Sequence, residues 1–197
     1  MTTEVSLSPE IEAKIDEAVA ARFAEMMQTR VGAQAETKLT SKRRGRRLAI
    51  VASKGTLDMA YPPLILASTA TAMGWEVAVF FTFYGLDIIN KKKTHHLQVP
   101  PLANPAMPVP VPNIIGAIPG MTAMATSMMK GWMSKANMPE LDELIAVCRD
   151  GGARLIACST TMGVMRVDAK DILDGLEIGG AAAFLDFAAD ADVSLFI

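Results

Sequence analysis

The sequence predicts an α/β fold, a three-layer sandwich built on a mainly parallel sheet. Three observations carry this. Apolar runs of strand length recur at Leu48–Ala52, Trp75–Phe83, Arg154–Ala157 and Val193–Ile197. Helical stretches alternate with them, which is the rhythm of βαβ units. The second run, WEVAVFFTF, has no polar face, as a central strand covered on both sides requires. A chain of 197 residues with 51% apolar content can bury one sizeable core.

Taken in order, Ser8-Pro9-Glu10 is a helix start, with a capping serine and proline at the first helical position. Ile11, Ile15, Val19 and Phe23 then recur every four residues, so an amphipathic helix is expected to about Met27. Its apolar face needs a partner, as a packing or oligomerisation arm. The basic run Ser41 to Arg47 follows, either a solvated linker or a contact for an anionic partner or lipid head groups. Residues 1–45 thus form an arm and linker, and residues 46–197 the α/β domain.

Within the domain, the Leu48–Ala52 strand leads through Ser53-Lys54-Gly55-Thr56 into a helix from Leu57 to Met73. That loop resembles a phosphate cradle only faintly, since a P-loop needs a second glycine followed by lysine. Tyr61-Pro62-Pro63 implies a kink or restart, and Gly74 ends the helix. The strand Trp75–Phe83 runs into a short helix, Leu86 to Asn90, closed by Lys91-Lys92-Lys93 as a charged cap.

The insert 94–138 breaks the pattern. No Asp, Glu, Lys or Arg occurs from Thr94 to Met129, and seven of the eleven prolines lie between Pro100 and Pro119. Pro100 to Pro112 should be extended, whereas Met121, Met124, Met128, Met129, Trp132 and Met133 recur at helical spacing. Pro112 and Pro119 leave too short a run for a spanning helix, which needs about 20 apolar residues. Four roles fit the insert: a subunit interface, a lid over the active site, membrane-surface contact through 107–138, or partner docking.

Glu140 to Asp150 is an amphipathic helix with Leu141, Leu144, Ile145 and Cys148 on one side, stopped by Gly151-Gly152. After the Arg154–Ala157 strand, Met162 to Met165 should form a helical turn. Asp168 should cap another to Leu173, and an alanine-rich helix should follow Gly179-Gly180 to about Ala189. Val193 to Ile197 reads as a final buried strand. The sum is a flavodoxin-like sandwich.

Cys158 falls where its strand ends and the polar turn Ser159-Thr160-Thr161 begins, the edge at which open α/β sheets bind ligands. A helical turn there would favour an anionic sulfur, and the hydroxyls can donate to it. This position points to sulfur chemistry, with a small buried cysteine as the alternative. Cys148, separated from Cys158 by nine residues, reads as core-facing, with a role as second acceptor or resolving thiol only if the Cα atoms come within about 7 Å.

Composition narrows the rest. Net charge is −2 and the pI near 5.7, giving no electrostatic case for nucleic acid. Met1 to Glu10 has no apolar signal region, so a reducing cytoplasm is the expected compartment. Zinc is not expected, because the adjacent His95-His96 lack ligand spacing to the cysteines, and no cofactor is called for. Peroxide reduction by the thiol pair lacks the Thr-x-x-Cys pattern of peroxiredoxins.

Five patches resemble, in order and spacing, the DsrE/DsrF/DsrH-like family, specifically its larger DsrE-type branch. They are Ser53–Asp58, Phe80–Leu86, the insert ending Pro119-Gly120-Met121, Ala157–Met162 and Gly175–Gly180, and the similarity covers about Arg47 to Ile197. Tyr84 stands where many relatives have tryptophan, a departure that touches packing. The resemblance implies a flavodoxin-like fold, homo-oligomers, and Cys158 carrying sulfur as a persulfide between proteins such as TusA-like carriers and rhodaneses. Cys148 resembles the second cysteine of that branch; Ser159, Thr160, Thr161, Lys54 and Gly55 are the expected substrate-binding residues. The expected function is a cytoplasmic sulfur carrier or sulfurtransferase. The alternative is a non-catalytic oligomeric or membrane-associated assembly module, motivated by the arm and the apolar insert.

Overall fold

In the computed structural model, residues 45–100 and 120–197 are described, together with Ala21, Arg22 and Glu25. The chain divides into two units, Met1–Gly45 and Arg46–Ile197. In the first, Ala21, Arg22 and Glu25 are helical; the rest of the arm helix and most of the basic run lie outside the described residues.

The second unit is a five-stranded sheet: β1 (Arg47–Ala52), β2 (Glu76–Phe81), β3 (Arg154–Cys158), β4 (Glu177–Gly179) and β5 (Val193–Phe196). Every pairing is parallel, in the order β4-β3-β2-β1-β5. The helices are α1 (Leu57–Ala72), α2 (Met121–Lys135), α3 (Leu141–Asp150), α4 (Ser159–Met165) and α5 (Ala181–Ala188), with 3-10 turns at Phe83–Ile89, Thr94–His96 and Ala169–Asp171. This is the α/β architecture that the alternation of apolar runs predicts.

Strand alternation divides the buried side chains between two cores. Leu48, Ile50, Val79, Phe81, Leu155 and Ala157 face the layer of α1 and α3. Ala49, Ala78, Phe80, Ile156 and Cys158 face the other way, where α5 supplies Phe184 and Phe187. Phe80 and Phe184 stack with centroids 5.1 Å apart, an offset pair worth about 1 kcal/mol beyond its buried area.

Several expectations need correction. Pro62 and Pro63 sit inside one uninterrupted helix; burial of Tyr61, Pro63 and Leu64 offsets the lost hydrogen bonds. Strand β2 stops at Phe81, its last rung being Ala52, and a 3-10 turn starts at Phe83 instead of a helix at Leu86. Helix α4 begins directly at Ser159, and Asp168 caps nothing with its side chain. β4 was not expected: three residues ending in glycine match no strand template, yet Arg154 pins its Glu177 through two bonds of 3.0 and 2.8 Å. β5 is a half-exposed edge strand, not a buried one, because it pairs only with β1. The Lys91-Lys92-Lys93 run is an ion-paired clamp, reaching Asp174, Asp171 and Asp87.

The insert is described from Thr94 to Pro100 and from Gly120 onward; its expected extended stretch lies outside the described residues. Helix α2 packs Ala125, Met129 and Met133 against the larger core and leaves Met124, Met128 and Trp132 exposed. Thr126 fastens it, accepting from the Val99 N–H at 3.2 Å and donating to the Thr122 carbonyl at 2.7 Å. The described part of the insert packs on the larger core, whereas Cys158 packs in the smaller one.

Candidate functional site

Ligand crevices in open parallel sheets form where adjacent strands send their connections to opposite faces. Here that point lies between β3 and β4. After β3, α4 buries Met162 in the larger core; after β4, α5 buries Phe184 and Phe187 in the smaller. Cys158, the last residue of β3, pairs with Gly179, the last of β4, so its sulfur stands at the split. The apolar run Leu155-Ile156-Ala157 buries the strand, and the polar residues after it open α4 at once.

The surroundings of this thiol are hydrogen-bond donors. Burial pushes the Cys158 thiol up, but donors outweigh it and hold it below its ordinary value: the Thr161 hydroxyl and N–H, the Thr82 hydroxyl, and the Thr160 N–H. The Thr82 and Thr161 hydroxyl oxygens are 2.9 Å apart, and both side chains are buried. Among the described residues no charged group contributes to this shift. Such a site favours a thiolate, the nucleophilic form. The side chain is more enclosed than a strand-end position suggests, at 5% exposure, because it also packs on the smaller core.

The other expected residues divide. Thr161 is in the cradle through side chain and backbone, Thr160 through its N–H alone, its side chain being exposed. Ser159 is exposed, and its hydroxyl lies 3.8 Å from where a Cβ on Gly180 would stand. Lys54 is exposed on the β1–α1 loop. Gly55 has a packing role: a Cβ there would stand 2.1 Å from the Tyr84 carbonyl oxygen. Gly85 answers it, with a Cβ position 2.0 Å from the Ala52 carbonyl oxygen, so the two loops interlock.

Cys148 is not brought to Cys158. It lies in the larger core with no exposure, its thiol donating toward the Leu64 carbonyl at 3.7 Å, and burial pushes its pKa up to about 11. Both cysteines are free. Thr82, by contrast, was not among the expected site residues. Its signal was a lone hydroxyl closing the apolar run Val77–Phe81 at the same sheet edge as Cys158.

A cavity of about 300 Å³ lies elsewhere, lined by Leu57, Tyr61, Thr94, Lys130, Glu140 and Leu141 among others, and none of the expected site residues borders it. Among the described residues no group of three or more His, Cys, Asp or Glu could hold a metal ion.

Residues 44–196 match the DsrE/DsrF/DrsH-like family. The chain belongs to that family. Within it, the chain is 46% identical over 158 residues to the "Sulfur carrier protein DsrE2" of Allochromatium vinosum, covering 77% of this chain and 98% of that protein. It is 30% identical over 155 residues to the "Uncharacterized protein YrkE" of Bacillus subtilis, covering 77% and 97% respectively. The crystal structure of the ychN protein from E. coli superposes with a TM-score of 0.48 at 12% identity, over 77% of this chain and 99% of that one. The DsrE/DsrF/DrsH-like match spans all five strands and both cysteines.

Proposed function

We propose that this protein is a sulfur carrier that holds sulfur as a persulfide on Cys158 and hands it to another protein. The observation that carries the proposal is a cysteine at the carboxyl edge of the sheet, at the start of α4 and beside the Thr82–Thr161 hydroxyl pair, surroundings that favour its anion. The likeness to a protein named a sulfur carrier supports it.

The step is an exchange. The Cys158 thiolate attacks the outer sulfur of a donor persulfide; the new Sγ–S bond forms, the donor's S–S bond breaks, and the donor leaves as a thiolate. Delivery is the same step reversed toward an acceptor thiolate. Electrons balance without an added oxidant or reductant. The expected partners are donor and acceptor proteins such as TusA-like carriers and rhodaneses, in a reducing cytoplasm.

Intact-mass analysis after incubation with a persulfidated donor or polysulfide tests this. The wild type and Cys148→Ser should each gain sulfur, and Cys158→Ser should gain none. Equal loading of Cys158→Ser would overturn the assignment.

The exposed stripe Met124, Met128, Trp132, at four-residue spacing on α2, supports a second role that can coexist with the first. It is an association surface for a homo-oligomer, with a membrane surface as the alternative occupant. No described helix is long and apolar enough to cross a membrane.

A further inference from the structure

We propose that Thr82 is a positioning residue for Cys158: its hydroxyl, delivered from the neighbouring strand, completes with Thr161 a two-hydroxyl cradle that holds the sulfur anion. This rests on the reading of Cys158 as the sulfur-bearing residue and names what tunes it.

Proton counting makes the case. Each threonine hydroxyl has one proton to give. With their oxygens 2.9 Å apart, the two hydroxyls form a chain. When the sulfur is a neutral thiol, one hydroxyl donates to the other. When it is an anion, the protons turn toward it, either both directly or in relay through Thr161. In each arrangement the Thr82 proton is the second one directed at the charge, inside a buried site where a charge-assisted bond is strong. The same pair can serve the outer sulfur once a persulfide has formed, because that sulfur is also anionic.

The backbone is arranged to put Thr82 there. Its N–H donates to the Ala52 carbonyl at 3.0 Å, and its carbonyl accepts the Gly85 N–H at 2.9 Å. The next residue, Phe83, has φ +47°, a left-handed conformation that is costly for a bulky side chain. Phe83 is 58% exposed, so burial of its ring does not offset that cost. The sharp turn ends β2 at the residue whose hydroxyl meets Thr161. Thr161 comes with α4, which starts directly after Cys158, whereas Thr82 is brought beside Cys158 by the β2–β3 register, one step past the Phe81–Ala157 rung.

The test is the pH profile of Cys158 alkylation by iodoacetamide in the full chain, read by peptide mass, for wild type, Thr82→Val and Thr82→Ser. Valine keeps the volume and removes the donor. Thr82→Val should shift the profile to higher pH and react roughly tenfold more slowly below the wild-type midpoint, as loss of one hydrogen bond to a charge predicts. Thr82→Ser should return it. An unchanged profile in Thr82→Val, or an equal shift in Thr82→Ser, overturns the proposal. If Thr82→Val does not fold, Thr82→Ala is held to the same outcomes. Alkylation needs no sulfur donor, so this result stands apart from sulfur loading: a wild type that never loads sinks the carrier function and leaves Thr82 to be judged on its own.

Discussion

Burial and hydrogen bonding pull the two thiols apart in pH. Cys148 has no donor to steady an anion, and burial moves it from an ordinary 9.0 to about 11. Between those values the unfolded chain has lost the proton and the folded chain keeps it. Folded stability contributed by Cys148 is therefore complete below 9.0 and is lost as pH rises toward 11. The loss amounts to about 2–3 kcal/mol. Urea midpoints at either end of that window should show wild type falling further than Cys148→Ala. Cys158 has the opposite sign: its lowered pKa adds stability above the unfolded value, lost as pH falls through the folded one. At this scale the sequence disclosed Cys158 and Thr161, because strand end, cysteine and hydroxyls are contiguous. Thr82 stayed hidden, since it is brought beside the sulfur by strand pairing across 75 intervening residues that no local pattern records.

The element that holds the site in register is the pair of interlocked loops after β1 and β2. Gly85 is needed there because the Ala52 carbonyl occupies the space of a side chain, and Ala52 also anchors Thr82. Gly85→Ala should destabilise the fold by about 1–3 kcal/mol, as overpacking against backbone does. It should also slow Cys158 alkylation at neutral pH, since Thr82 must shift with the loop. Chemical denaturation followed by alkylation of the still-folded variant checks both. Long apolar or amphipathic runs made β1, α1 and α3 legible. β4 was not, because three residues are paired by tertiary register and an Arg154–Glu177 fork, not by their own preference. The Pro62-Pro63 helix likewise reflects packing overriding local propensity.

Across the Arg46–Ile197 unit the two sheet faces are unequal. One is covered by α1 and α3, with α2 packed against the same core; the other by the eight residues of α5. The exposed α2 stripe belongs to the thick side, so the proposed association surface and the proposed sulfur chemistry can be separated by mutation. Met124→Glu combined with Trp132→Glu should shift the protein to smaller species in sedimentation velocity. Sulfur loading on Cys158 should be unchanged. Loss of both together would mean that the site depends on the assembly.

The sheet also keeps its two sulfurs on opposite sides of a wall. A thiol beside a persulfide attacks the inner sulfur, closes a disulfide and expels hydrosulfide, so the cargo escapes as gas-forming waste. For the persulfide proposed on Cys158 that leak is shut, because Cys148 lies on the other face of the five-stranded sheet and stays protonated until strongly alkaline pH. A sulfur carried on Cys158, as proposed, would then leave only when some other molecule comes for it.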